Sequence, residues 1–217
     1  MQHMDVLLRL YAVTDRTWTG RQTLAQQVEQ ALQGGATLVQ LREKELDDEA
    51  FLAEALEMKA LCHRYGVPLI INDNVEVALR CGADGVHVGQ SDMQAGDVRA
   101  RMGKDKIVGV TAKTVEQAQA ALAAGADYLG SGAVFGTSTK PDAKPMSKEL
   151  LREICASVDI PVVAIGGVNR KNLPDLAGTG VSGAAVVSGI FAAEDIRSEC
   201  EMLRALVDQV CAERKGA

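Results

Sequence analysis

Short apolar runs punctuate the chain. They begin near Arg9, Thr37, Pro68, Asp84, Ile107, Asp127, Pro161 and Gly183, and each is four to six residues of mostly Val, Ile and Leu. Apolar and polar positions do not alternate strictly within them, which is how strands buried on both faces of a parallel sheet read. Helical periodicity fills the gaps. Phe51, Ala55, Met58, Cys62 and Tyr65, spaced four, three, four and three, lay one apolar face along a predicted helix over 48–65. Segments 114–124 and 147–157 are predicted helices too, with Ser147 as a cap ahead of Leu150 and Leu151.

A weak internal repeat organises these pieces. Gly35-Ala36, Gly82-Ala83-Asp84, Gly125-Ala126-Asp127 and Gly180-Val181-Ser182 each stand just before an even-numbered strand. A Gly there ends the preceding helix in a left-handed conformation and turns the chain into the sheet. Eight βα units without a break in composition predict one α/β domain over 1–217, a closed (β/α)8 TIM barrel. An open doubly wound sheet is the alternative, but no G-x-G-x-x-G comes after the first strand. The tails 1–5 and 214–217 are expected to fray, and the polar stretch 136–146, with Pro141 and Pro145, is expected to be a lid loop.

Composition narrows the function. The chain has 217 residues, 47% hydrophobic and 24% charged, enough for a sizeable core. Its net charge of -6 argues against nucleic acid as a partner while leaving room for a local basic pocket. Five cysteines, none in a C-x-x-C pair, read as reduced, packed thiols of a cytoplasmic protein. The first ten residues lack the pattern of a secretory signal, and no apolar run approaches the roughly eighteen residues of a membrane span. A homo-oligomer is left open.

The chemistry lies just beyond each strand, because barrel active sites are built from strand C-terminal ends. Strand two ends in Gln40-Leu41-Arg42-Glu43-Lys44 and strand three in Asn72-Asp73-Asn74. Strand four leads to Asp92, strand five ends at Thr111, and Thr137-Ser138-Thr139-Lys140 lies after strand six. Arg42, Lys44 and Lys140 are cations suited to phosphate oxygens. Asp73 and Asp92 on adjacent strands would repel an anion unless a cation sat between them, and Mg²⁺ suits carboxylates plus phosphate oxygens. That set fits a departing diphosphate. Gly166-Gly167 and Ser188-Gly189 end strands seven and eight, where barrels often hold a phosphate on backbone N–H groups. The competing structural readings are Arg42–Glu43 and Lys44–Glu45 surface pairs, helix caps at Asp73 and Asp92, and tight glycine turns. His87 reads as a hydrogen-bonded core residue, His3 and His63 as tail and helix surface, and Trp18 as either a cover of the mouth or a loop anchor. No Ser-His-Asp set and no nucleophilic Cys is found at the mouth.

Seven stretches together resemble the thiamine-phosphate synthase family: Val39–Lys44, Ile71-Asn72-Asp73, Gly85–Gln90, Gly109-Val110-Thr111, Thr137–Lys140, Ala164–Val168 and Val186-Val187-Ser188. The resemblance implies a transferase that joins 4-amino-2-methyl-5-(diphosphooxymethyl)pyrimidine to a thiazole phosphate with loss of diphosphate. It implies that Gln40, Leu41, Arg42, Glu43, Lys44, Asn72, Thr111 and Lys140 hold the pyrimidine diphosphate. Asp73 and Asp92 would bind Mg²⁺, and Thr137, Ser138, Thr139, Gly167, Val187 and Ser188 would take the thiazole phosphate. Arg42, Lys44, Lys140 and Thr111 would carry the catalysis, by a dissociative displacement that needs no general base. Thr111 stands where Ser is more frequent in the family, and Gly136 where Pro is. A related thiazole tautomerase would carry a His two residues after Thr111, where this chain has Lys113. A phosphate-sugar isomerase barrel would explain strands seven and eight but not the Asp pair. A silent ligand-binding barrel is the non-enzymatic alternative.

Overall fold

Eight short strands carry almost nothing exposed to water. They are β1 Leu10–Val13, β2 Leu38–Leu41, β3 Leu69–Asn72, β4 Gly85–Val88, β5 Ile107–Thr111, β6 Tyr128–Gly132, β7 Val162–Ile165 and β8 Gly183–Val186. Each begins within one residue of its predicted start. The computed structural model describes residues 2–20, 22–89, 95–136 and 145–212. Every strand pairs in parallel with its sequence neighbour, and β8 pairs with β1, Leu10 opposite Ala184, so the barrel closes. Closure removes both sheet edges and leaves no backbone row unpaired.

Helices surround the strands: α1 Gln2–Leu7, α2 Leu24–Gln33, α3 Asp48–Arg64, α4 Val75–Cys81, α5 Ala95–Met102, α6 Val115–Ala123, α7 Lys148–Ser157, α8 Ser188–Phe191 and α9 Ile196–Ala212. Local chemistry sets their ends. The Thr114 hydroxyl accepts from the Gln117 amide (3.2 Å) and that of Ser147 from the Leu150 amide (3.1 Å), so orphan donors of α6 and α7 are satisfied. Gly35, Gly82, Gly125 and Gly180, the glycines of the repeat, have φ of 97°, 66°, 86° and 87°, a left-handed geometry that would strain a residue with a Cβ. Phe51, Ala55, Met58 and Cys62 are buried along α3 as the spacing predicts. Tyr65 is not: it caps α3 from the exposed side, and its hydroxyl donates to Glu29.

Two other expectations change. The N-terminal tail is ordered as α1, because Leu8, fully buried, and Met4 fill the bottom of the barrel interior alongside Leu38, Ile70 and Tyr128. The seventh unit carries a single 3-10 turn, Leu173–Leu176, in place of an α-helix. Pro174 lacks the N–H that a longer helix would need, and α9 packs over the turn instead. The thiols of Cys62, Cys81, Cys200 and Cys211 are buried and that of Cys155 half-buried. Burial pushes Cys62 and Cys200 up to about 12, which leaves them as unreactive thiols. Trp18 packs against the core and its carbonyl accepts from Gln27, the loop-anchor reading.

Because Leu8 plugs the barrel floor, Leu8→Ala should lower the unfolding free energy by about 2–5 kcal/mol, as for other buried Leu truncations. Urea denaturation measures this; a loss below about 0.5 kcal/mol, the size of a surface change, would contradict the packing role.

Candidate active site

Strand geometry sorts the predicted residues. Side chains two apart share a face, so Gln40, Arg42 and Lys44 rise on the inside of the barrel mouth while Leu41 and Glu43 turn outward. A cavity of about 530 Å³ opens at the C-terminal strand ends and is lined by Gln40, Arg42, Lys44, Asn72, Asp73 and Thr111. Gly167, Val187 and Ser188 line it as well. Leu41 is fully buried against the helices, and Glu43 is buried against Arg16, so neither side chain reaches the cavity. Asp92, Thr137, Ser138, Thr139 and Lys140 lie outside the described residues, as does most of the expected lid.

The surface pairs Arg42–Glu43 and Lys44–Glu45 are not what forms. Arg42 Nη1 donates to Asp15 Oδ2 (2.9 Å), and the Arg42 amide donates to the Thr14 hydroxyl (2.9 Å). Asp15 is held in turn by Thr17, whose amide donates to it over 2.9 Å. Lys44 Nζ donates to Asp73 Oδ2 (2.7 Å). Asp73 therefore does not cap α4; Asn74 does, accepting from the Val77 amide. Asp73 is also the one non-glycine among the described residues with a left-handed backbone, φ 62°, a conformation that costs of order 1 kcal/mol and clusters at functional sites. Its amide donates to the His87 carbonyl (2.8 Å), which pins it at the rim between β3 and β4.

Beside the mouth, Arg16 bridges two acids. Its Nε donates to Glu43 Oε2 (2.8 Å) and its Nη2 to Glu54 Oε1 (2.5 Å). Glu43 Oε1 and Glu54 Oε2 are buried without another partner. A proton held on Glu54 would supply a donor facing Glu43. Burial, with the facing Glu43, pushes Glu54 up to about 7.

The opposite side of the mouth is glycine and aliphatic. A Cβ on Gly167 would lie 2.3 Å from the Gly136 carbonyl oxygen and 2.7 Å from that of Phe135. Glycine is required there by the approach of the β6 loop, whatever a ligand demands. Sequence reasoning passed over several cavity residues. Tyr11, Lys113 and Gln117 line it, and His87, read as a core residue, lines it while hydrogen-bonded to Tyr128 and Thr111. Asp15 and Arg16 were also missed, although Thr14-Asp15-Arg16 stands directly after the first strand, the same signal used at strands two and three. His63 is exposed and 2.8 Å from Asp84; the side chain of His3 lies outside the described part. No group of three or more His, Cys, Asp or Glu that could hold a metal occurs among the described residues. No described helix is long and apolar enough to cross a membrane.

Residues 10–190 match the family model described as thiamine monophosphate synthase. A relative named thiamine-phosphate synthase from Ruminiclostridium cellulolyticum is 53% identical, with 89% of this chain and 92% of that protein covered. Another of the same name, from Clostridium acetobutylicum, is 47% identical over 94% of this chain and 95% of that one. The solved structure of thiamine phosphate pyrophosphorylase from Pyrococcus furiosus superposes with a TM-score of 0.87 at 38% identity, covering 95% of this chain and 98% of that one.

The acid pair sets a pH dependence. Glu54 holds its proton more tightly when folded, so stability is lost as pH rises from its ordinary 4.5 through about 7. Glu54→Gln, whose amide can donate to Glu43 at any pH, should gain on the parent protein across that window. Thermal melts at pH values from 5 to 8 check this; a constant difference in Tm would rule out a proton held on Glu54.

Proposed function

This chain belongs to the thiamine monophosphate synthase family and carries that family's transferase activity, and on that premise we propose how its mouth performs the reaction. The substrates are 4-amino-2-methyl-5-(diphosphooxymethyl)pyrimidine and a thiazole phosphate. The observation that carries the reading is the asymmetry of the cavity: Arg42, Lys44, Asn72 and Asp73 on the β2–β3 side, glycine, Val187 and Ser188 on the β7–β8 side. The first side suits a diphosphate, the second a monophosphate on an apolar ring.

Arg42 offers a planar fork to the diphosphate, and its orientation is set before substrate arrives by Asp15. Lys44, paired with Asp73, adds a point charge. Lys140, outside the described residues, is assigned to the same group by the sequence. As the C–O bond to the methylene breaks, the electron pair leaves with diphosphate oxygen, and Arg42 and Lys44 stabilise that growing charge. The aminopyrimidine supports the cation left on the methylene. The thiazole nitrogen then donates its lone pair to that carbon. The nitrogen carries no proton, so no base is called for. Thr111, on the pyrimidine side, positions that ring, while Ser188 and the Gly167 backbone hold the thiazole phosphate.

Asp73 fits a metal role by its donor chemistry: a hard carboxylate at the rim of the cavity, held by Lys44. Asp73 and Asp92 are the residues we assign to Mg²⁺, which would supply charge neutralisation of the leaving diphosphate.

Thiamine phosphate formation from both substrates, followed with Mg²⁺ and with EDTA, tests the reading. Product should require both substrates and vanish with EDTA. Isomerisation of the thiazole alone would assign the chain to tautomerase chemistry instead. Arg42→Ala should lower kcat by about 10²–10³-fold, as for loss of one preorganised charge donor, with thiazole phosphate affinity nearly unchanged. Equal losses in both would remove Arg42 from the diphosphate side.

A further inference from the structure

A polar chain crosses the barrel interior, and the reaction above uses only its Thr111 end. Gln40 Nε2 donates to the Tyr11 phenol oxygen over 2.6 Å. The Tyr11 and Tyr128 hydroxyls are 2.7 Å apart. Tyr128 Oη lies 3.0 Å from His87 Nδ1, and His87 Nε2 lies 3.0 Å from Thr111 Oγ1. Strands β2, β1, β6, β4 and β5 each contribute one group. The chain starts at one residue of the cavity lining, Gln40, and ends at another, Thr111, while Tyr128 is wholly buried between them.

Counting protons gives the chain a direction. Burial raises both phenols well above the ordinary value, so each keeps its one proton. Tyr11 already accepts from the Gln40 amide, and among the described residues the remaining partner of its hydroxyl is Tyr128. Tyr11 therefore donates to Tyr128, and Tyr128 must pass its own proton toward His87 Nδ1. An imidazole that accepts at Nδ1 carries its hydrogen on Nε2. His87 Nε2–H then donates to Thr111 Oγ1.

The backbone is cleared for this link. A Cβ on Gly109 would lie 2.1 Å from Tyr128 Cζ, 2.3 Å from its hydroxyl oxygen and 2.5 Å from His87 Nδ1. A Cβ on Gly130 would lie 3.1 Å from His87 Cε1. The Tyr128–His87 contact fills the volume that side chains on β5 and β6 would otherwise take.

We propose that the Gln40 amide, acting through Tyr11 and Tyr128, fixes His87 as its Nε2–H tautomer, and that Tyr11 and Tyr128 are thereby positioning residues for His87 and Thr111. The kinetic half of this rests on the assignment of Thr111 to the pyrimidine side; the tautomer itself does not. With both ring nitrogens engaged, His87 is a fixed donor at the mouth, in keeping with a reaction that needs no base. Tyr128 is wholly buried, and both tyrosines act through His87.

Nitrogen-15 NMR of the full chain above about pH 8, where an ordinary imidazole is neutral, reads the tautomer directly. His87 is assigned by the signals lost in His87→Gln. A bare Nδ1 and a protonated Nε2 are expected. In Gln40→Glu the carboxylate accepts a hydrogen bond from the Tyr11 hydroxyl, the direction reverses, and His87 should move to Nδ1–H. In Tyr128→Phe the ring packing stays, the donor to Nδ1 goes, and both tautomers should appear. That variant should lose about three- to tenfold in kcat/KM for the pyrimidine diphosphate, the worth of one hydrogen bond, with KM for thiazole phosphate within about twofold. Tyr11→Phe is the second variant should Tyr128→Phe fail to fold, and it too should release the tautomer. An Nδ1–H tautomer in the parent protein, or Nε2–H unchanged in Gln40→Glu, overturns the proposal. Absence of synthase activity with the tautomers as expected would instead strike at the substrate assignment alone.

Discussion

In a closed parallel barrel every strand side chain has two destinations, the helix layer or the interior, and successive residues alternate between them. Once β8 hydrogen-bonds to β1, no strand can slip without breaking the alternation on both neighbours. Everything at the mouth depends on this. It sends Gln40, Arg42 and Lys44 to the cavity and commits Leu41 and Glu43 to the outside. It also lets five different strands each place one polar group into the same interior layer, where a single strand could place only every second residue.

The charges at the mouth are organised before any ligand arrives. Each cation of the β2 end has an acid on a different element: Asp15 for Arg42, Asp73 for Lys44. Arg16 is held against Glu43 and Glu54 alongside. Such pairs contribute modestly to stability where they are half-exposed. Their larger effect is geometric, since a tethered guanidinium loses less freedom on binding an anion than a free one. The left-handed backbone of Asp73 belongs to the same arrangement, with local strain tolerated because the His87 carbonyl and Lys44 hold the residue from two sides.

Much of the barrel was legible in the sequence because its signals are local. Apolar runs, the four glycines before the even strands and the caps at Thr114 and Ser147 each act within a few residues. The strand-end rule likewise brought Gln40, Arg42, Asp73 and Ser188 to one cavity on paper. What could not be read depends on pairings between distant segments. Arg42 chooses Asp15 over its neighbour Glu43 because the β1 loop folds across β2, a contact 27 residues apart in sequence. Glu43 was assigned to the mouth through the family's motif, and only the pleat shows that its side chain turns away. The tail became α1 because Leu8 had an interior to fill, which no property of residues 2–7 announces. Tyr11 and Tyr128 fall inside the apolar runs, and their hydroxyls gain meaning only once they stand 2.7 Å apart across the barrel.

The packing of Leu8 and Met4 into the barrel floor makes the interior a blind pocket, open at the mouth. Whatever enters through the mouth has to leave through it. One opening therefore serves every molecule that visits the strand ends, and the residues at its rim meet all of them.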